Sequence, residues 1–209
     1  MSTDAGVNGP DSPVVFTVGH SNVAREAFLA LLKRHDVEVL VDVRSAPYSK
    51  YVPHFNSEPL KQAVVSAGIK YLYMGRELGG RPTEPVFYDA GGHVRYDLVA
   101  SSPAFVGGIE RLRRGIEEHR VVLMCNEEDP TECHRRLLVG RVLAEHGVEV
   151  LHIRGDGRVQ SERELAEAER SRAPSTDQQA FAFVAREEPE WKSTRSVSPA
   201  KQQKRSSEP

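Results

Sequence analysis

The sequence predicts a doubly wound α/β domain over residues 14–170, with a mostly parallel five-stranded sheet and helices on both faces. Two observations predict it. Residues 14–18, 38–43, 69–73, 121–125 and 148–153 are short, nearly continuous apolar runs rich in Val and Ile, the composition of strands buried on both faces. Segments of helical periodicity with recognisable ends separate these runs. Strands that alternate with helices pair in parallel through right-handed crossovers, and the helices then cover both sides of the sheet.

In chain order, residues 1–13 are rich in Gly, Ser, Asp and Pro without apolar periodicity and read as a flexible leader. After the first strand, Asn22 is placed to cap a helix carrying Phe28, Leu29, Leu31 and Leu32. Ser57 starts the second helix, whose first turn tolerates Pro59 and whose end fits Gly68. Pro103 opens the third, which runs through Phe105, Ile109, Leu112 and Ile116. The fourth has the fullest start signal. Asp129 as N-cap, Pro130 at N1 and Glu132 at N3 make an Asp version of the capping box, and Gly147 ends the segment. Cys133 then falls in the first turn of that helix. A last helix begins with Ser161 and Glu164 as another capping box. From about Ala173 onward Ser, Pro, Gln and Lys take over, so residues 173–209 read as a disordered tail. The basic residues Lys192, Arg195, Lys201, Lys204 and Arg205 leave a nucleic-acid-binding arm as the alternative.

Bulk properties exclude several classes. With 209 residues, 39% of them hydrophobic, the chain can bury one sizeable core but not comfortably two. No apolar run approaches the roughly 18 residues a membrane span needs, and the polar start lacks both parts of a secretory signal. A cytoplasmic protein without a membrane partner is the expectation. Two cysteines make no disulfide framework, so reduced thiols are the default. A formal net charge of −2 gives no global reason to bind nucleic acid. The sequence requires no cofactor.

Ligands of open α/β sheets bind outside the carboxyl ends of the strands, and the chemically dense segments all map there. The first strand leads into Gly19-His20-Ser21-Asn22, which is either a plain turn and cap or an anion cradle with Ser21 and an adjacent proton carrier, His20. The second leads into Asp42, Arg44, Ser45 and Lys50. Asp42 and Arg44 share a strand face and form either a structural ion pair or a working couple, with Arg44 gripping an anion and Asp42 orienting His20 or a substrate hydroxyl. The loop from Arg44 to Asn56 is long for a βα connection and could cover a planar ligand. The third strand leads to Leu78-Gly79-Gly80, and the fifth to Arg154-Gly155-Asp156-Gly157. The fourth ends at Cys125, which begins a stretch through Glu127 and Asp129 to Cys133-His134-Arg135.

Phe16-Thr17-Val18-Gly19-His20-Ser21-Asn22, Val41-Asp42-Val43-Arg44-Ser45-Ala46-Pro47, Phe55-Asn56, Glu77-Leu78-Gly79-Gly80, Leu123-Met124-Cys125, Cys133-His134-Arg135 and His152-Ile153 together closely resemble the domain-of-unknown-function family DUF488. The resemblance covers about residues 14 to 160. It implies a Rossmann-like α/β domain and leaves the reaction open.

The residues themselves leave three functional classes. The favoured one is an enzyme acting on an anionic or nucleotide-like substrate held by Ser21, Arg44, Ser45, Lys50, Gly79, Gly80 and Arg135. Its reacting groups come from His20, Asp42, Glu127, Cys133 and His134: a carboxylate version uses Glu127 with Asp42, a thiol version uses Cys133 at a helix N-terminus. Cys125 reads as a core residue whose thiol need not meet Cys133. Leu40-Val41-Asp42-Val43-Arg44 looks like a rhodanese strand, but a rhodanese or phosphatase loop is disfavoured. Pro130 removes a backbone donor and three acidic side chains repel an oxyanion. The second class is a non-catalytic nucleotide or nucleic-acid binding module, or a metal-binding protein using Cys125, Cys133 and His134, whose spacing matches no tight zinc clip. The third is a scaffold in which His20, Asp42 and Arg135 are buried polar pairs.

Overall fold

The computed structural model describes residues 12–172 and 190–200 of the chain. All five expected strands form: β1 (Val14–Gly19), β2 (Val39–Asp42), β3 (Lys70–Tyr73), β4 (Val121–Cys125) and β5 (Glu149–Ile153), paired in parallel. A sixth strand, β6 (Val159–Ser161), pairs antiparallel to β5, giving the order β3-β2-β4-β1-β5-β6. The sequence reading missed β6 because it has three residues and is only partly buried at the sheet edge. β2 and β4 are buried along their whole length, which explains their unbroken apolar runs.

Period-two alternation divides the core into two layers. On one face, Val122 and Met124 of β4 pack with Phe28 and Leu32 of α1 (Arg25–Arg34) and with Leu60 and Val64 of α2 (Ser57–Ser66). On the other, Val121, Leu123 and Cys125 pack with Phe105, Ile109 and Leu112, which belong to α4 (Pro103–Glu118). The short α3 (Tyr96–Ala100) and α5 (Arg141–Glu145) join this second layer. The helices therefore cover both faces, as alternation predicts. The strand order is not that of dinucleotide-binding Rossmann folds, in which β1 lies beside β2; here β4 is inserted between them. The chain leaves β1 toward β2 over the α1 face and leaves β4 toward β5 over the α5 face. Two central neighbours whose connections diverge in this way open a crevice at their carboxyl ends.

Several element ends differ from the sequence reading. Ala24, not Asn22, is the N-cap of α1, and Ser21 takes a positive φ of 45° in the intervening turn. Ser102 caps α4 and accepts from the Phe105 amide. The fourth helix departs most. Asp129 caps only a single 3-10 turn, Pro130–Glu132, and Cys133 is extended at φ −110° and ψ 135°. The helix restarts at His134, runs as a π-helix over Arg135–Gly140 and continues as α5. Glu132 pairs with Arg195 instead of closing a capping box. α6 (Glu162–Arg172) follows β6, with Ser161 and Glu164 in the expected reciprocal cap.

The expectation of a disordered tail fails for residues 190–200, which lie along the body as a strap. Trp191 donates its indole N–H to the Leu137 carbonyl at 2.8 Å, the Arg141 guanidinium stacks on its ring at 4.3 Å, and Ser193 donates its amide to the Val94 carbonyl. One aromatic anchor outweighs the polar composition around it. Lys192 pairs with Asp89 and Glu190, and Arg195 with Glu132, so these two cations serve the fold and not a free basic arm. Lys201, Lys204 and Arg205, residues 173–189 and the leader up to residue 11 lie outside the described residues. Among the described residues no helix is long and apolar enough to cross a membrane.

Trp191→Ala should free the strap without unfolding the body. Hydrogen exchange at the Ser193 and Val197 amides should rise by about tenfold or more, the equivalent of roughly 1.4 kcal/mol of local opening, while the β1 and β4 amides keep their protection.

Candidate functional site

The crevice between β1 and β4 is shaped by one side chain. Arg135, 1% exposed, donates from Nη1 to the Glu127 carbonyl, from Nη2 to the Glu128 carbonyl at 2.7 Å and from Nε to Thr17 Oγ1 at 3.3 Å. Its donors are used within the protein, so it is a loop clamp and not the substrate anchor the sequence suggested. The clamped loop crosses the end of β1, where a Cβ at Gly19 would collide with the Glu127 backbone. The loop also takes up the backbone donors of the next turn: the His20 amide bonds the Cys125 carbonyl and the Ser21 amide the Asn126 carbonyl, at 3.1 and 2.8 Å. Two backbone donors of the anion cradle read at Gly19–Asn22, those of His20 and Ser21, are thereby used within the protein. Ser21 Oγ contacts only Asn22.

Asp42 and Arg44 form a buried bidentate pair at 2.8 and 2.6 Å, with Tyr71 donating to the same carboxylate at 2.8 Å. Arg44 is 4% exposed. Asp42 is therefore spent on Arg44 and Tyr71, and reaches neither His20 nor a substrate hydroxyl. His20 donates from Nδ1 to the Ser21 carbonyl and accepts at Nε2 from Arg44 Nη1 at 3.1 Å, stacked on Phe55. Burial, then the Arg44 charge, pulls its pKa down to about 4. It is neutral at physiological pH and enclosed, a poor proton carrier. His20, Asp42 and Arg135 are thus buried and hydrogen-bonded within the protein.

Four reactive side chains meet on the Cys125 side of β4. Cys125 Sγ lies 3.0 Å and Cys133 Sγ 3.3 Å from the same Glu127 oxygen, Oε2. His134 Nδ1 lies 3.7 Å from Cys125 Sγ and 3.9 Å from Cys133 Sγ. The two sulfurs and this nitrogen are all within 4.8 Å of one another. The thiols, which by sequence need not meet, are brought together, because the break at Cys133 turns its side chain back onto the strand end. His134 Nε2 is 3.0 Å from the Val43 carbonyl; an acceptor there places a proton on Nε2 and aims Nδ1 at the sulfurs. Gly80 makes room, since a Cβ there would strike the His134 ring. Cys133 and burial push the Cys125 thiol well up. Burial opposes ionisation of Cys133, but Cys125, Arg135 and His134 together bring it well below the ordinary thiol range.

The cluster forms the floor of a cleft of about 140 Å³ that Arg44, Ser45, Gly80, Arg81 and Tyr96 help to line, with Ser193, Thr194 and Arg195 of the strap on its rim. A larger cavity of about 750 Å³ adjoins it through Ser45 and Arg81 and contains Tyr73, Arg76, Gly79 and Phe87. Ser45 Oγ accepts from the Arg81 amide at 2.9 Å and fills the space a Cβ at Gly79 would need. Lys50 is exposed, stacks over Tyr51 and is not in the lining of either cavity. Of the residues proposed from sequence, Glu127, Cys133, His134, Arg44, Ser45 and Gly80 thus line the small cleft, Gly79 the larger cavity, and His20, Asp42 and Arg135 support them. Sequence reading named Arg81 only as part of the segment after the third strand and missed Tyr96 and the strap. The signals were the Arg directly after Gly79-Gly80 and a lone Trp in an otherwise polar tail.

Arg135→Leu leaves two loop carbonyls and Thr17 without their donor and should cost about 3 kcal/mol or more, measured by chemical denaturation. Arg135→Lys, which cannot span both carbonyls, should recover only part of the loss.

A family model described as domain of unknown function DUF488 matches residues 24–142. No curated protein and no solved structure matches the chain. The matched span holds Asp42, Arg44, Gly79, Gly80 and the whole Cys125–Glu127–Cys133–His134 cluster, and it is more than half of the 209 residues. The chain belongs to the DUF488 family.

Proposed function

We propose that the chain is an enzyme acting on an anionic, nucleotide-like substrate, with Glu127 as the group that carries protons to and from the reacting atoms. The observation that carries this reading is the reach of Glu127, an exposed residue whose Oε2 touches two buried sulfurs at the cleft floor. A carboxylate that joins solvent to an enclosed reactive centre has the access a general acid or base needs. The two adjoining cavities favour a substrate of two parts. The small cleft admits a reacting group of a few atoms, while the larger cavity offers Tyr73 and Phe87 to a ring. Arg81 stands at the junction, and among the described residues no carboxylate pairs with it; its Nε donates to the Ser198 carbonyl. Positive charge there suits a phosphate or carboxylate. Open α/β sheets in general hold their ligands in a crevice at the carboxyl ends of the strands, which supports this reading.

The thiol alternative has one observation in its favour, the depressed Cys133 pKa. Against it stand the 1% exposure of Cys133 and the carboxylate oxygen 3.3 Å from its sulfur, which would oppose a thiolate nucleophile. In a nucleotide and nucleoside turnover screen, Glu127→Gln should lower kcat by about 100-fold or more with KM little changed. Full turnover by Glu127→Gln contradicts the proposal, and a substrate adduct on Cys133 after acid quench replaces it with the thiol mechanism.

A further inference from the structure

We infer that Cys125 Sγ, Cys133 Sγ and His134 Nδ1 are protein ligands of a zinc-class divalent ion, with Glu127 Oε2 at the fourth, exchangeable position. This deepens the functional reading by naming a cofactor for the same cluster, and it rests on that reading only for its catalytic role.

Geometry comes first. Tetrahedral zinc with sulfur at about 2.3 Å and nitrogen or oxygen at about 2.0–2.2 Å places its ligand atoms about 3.4–3.8 Å apart. The sulfur-to-nitrogen separations here are 3.7 and 3.9 Å and the sulfur-to-oxygen separations 3.0 and 3.3 Å. The two sulfurs and the imidazole nitrogen lie within 4.8 Å of one another, near that spacing, and Glu127 Oε2 lies against both sulfurs. The second observation is the outer contact of His134. A ligating histidine characteristically donates its other ring N–H to a carbonyl or carboxylate, which fixes the tautomer and aims the lone pair. The Val43 carbonyl, 3.0 Å from Nε2, does this for Nδ1.

Charge supplies the third reason. Two thiols, an imidazole nitrogen and a carboxylate converge, and the buried cation Arg135 directs its guanidinium to backbone carbonyls instead. A dication compensates the thiolates and the carboxylate together and releases the thiol protons to solvent as it binds. Two thiolates and an imidazole select zinc and its neighbours over magnesium or calcium.

Three protein ligands beneath an open cleft, with an exposed carboxylate as the fourth group, describe a catalytic arrangement more than a closed structural one. When Glu127 swings off, a water can take its place on the ion. That water gives a proton to the Glu127 carboxylate, and the hydroxide stays bound to the ion. A zinc held by His and two Cys with a nearby Glu as proton carrier is the set with which nucleobase deaminases activate water, which is consistent with a nucleotide-like substrate.

The test uses the full chain purified without chelator. Elemental analysis should find about one zinc per chain. After stripping, added cobalt should give thiolate-to-cobalt charge transfer and the visible bands of a tetrahedral site. Cys125→Ser and His134→Asn should lose both signals. Glu127→Gln should keep the metal with affinity lowered about 10–100-fold. Absence of bound metal together with absence of a cobalt–thiolate band in folded wild-type protein overturns the inference, whether or not the variants fold. Failure of the functional reading looks different: a metal-loaded protein inert in the nucleotide screen removes the enzyme and keeps the site. Metal-free protein with Glu127-dependent turnover does the reverse.

Discussion

Arg135 is the constraint on which the rest of the site depends. A guanidinium in the centre of an α/β domain is costly to desolvate, and here hydrogen bonds to the Glu127 and Glu128 carbonyls and to Thr17 offset that cost. The polar chain continues through the core. Thr17 Oγ1 bonds His152 Nδ1 at 2.7 Å, His152 Nε2 meets Glu162 at 3.1 Å, and Glu162 shares the Arg136 guanidinium with Glu169. Adjacent arginines therefore fasten different parts of the molecule, Arg135 the loop after β4 and Arg136 α6. Among the described residues no buried side-chain nitrogen or oxygen lacks a hydrogen-bond partner, the condition under which such a network is stabilising.

The clamp has a chemical consequence. In a loop built to cradle an anion, backbone N–H groups point inward. Here the carbonyls of residues 127 and 128 point inward to Arg135, and the Glu127 side chain is left to lie over the strand end. Strand parity does the rest. Cys125 shares the face of Leu123 and Val121, which is the face α5 covers, so the return of the chain through Cys133 and His134 brings their side chains to the same sulfur. Gly19 and Gly80 are small because backbone and an imidazole ring occupy the space their side chains would fill.

The sheet and its helices were legible in the sequence because they follow from local pattern: continuous apolar runs at buried strands, Pro103 and Gly68 at helix ends. So was the clustering of polar residues at the carboxyl edge. What was not legible depended on long-range competition. Asp129, Pro130 and Glu132 satisfy a capping motif, yet Arg195 draws Glu132 away and the helix restarts after Cys133. Arg44 and Arg135 look alike as candidate anion grips in one dimension, and only their partners, Asp42 and two carbonyls, reveal both as internal. The eight-residue separation of the cysteines suggested independence, but a 3-10 turn followed by an extended residue folds that length back on itself. Composition also concealed Trp191, whose single contact surface decides the course of the strap.

The central claim is that this backbone arrangement holds two sulfurs, one imidazole and one carboxylate around a common point. X-ray absorption at the edge of the metal bound to the wild-type protein tests it most directly. The account predicts a four-coordinate ion with two sulfur scatterers, one imidazole and one further light atom, the light atom changing in Glu127→Gln while the sulfurs remain. A first shell of nitrogen and oxygen alone would contradict it.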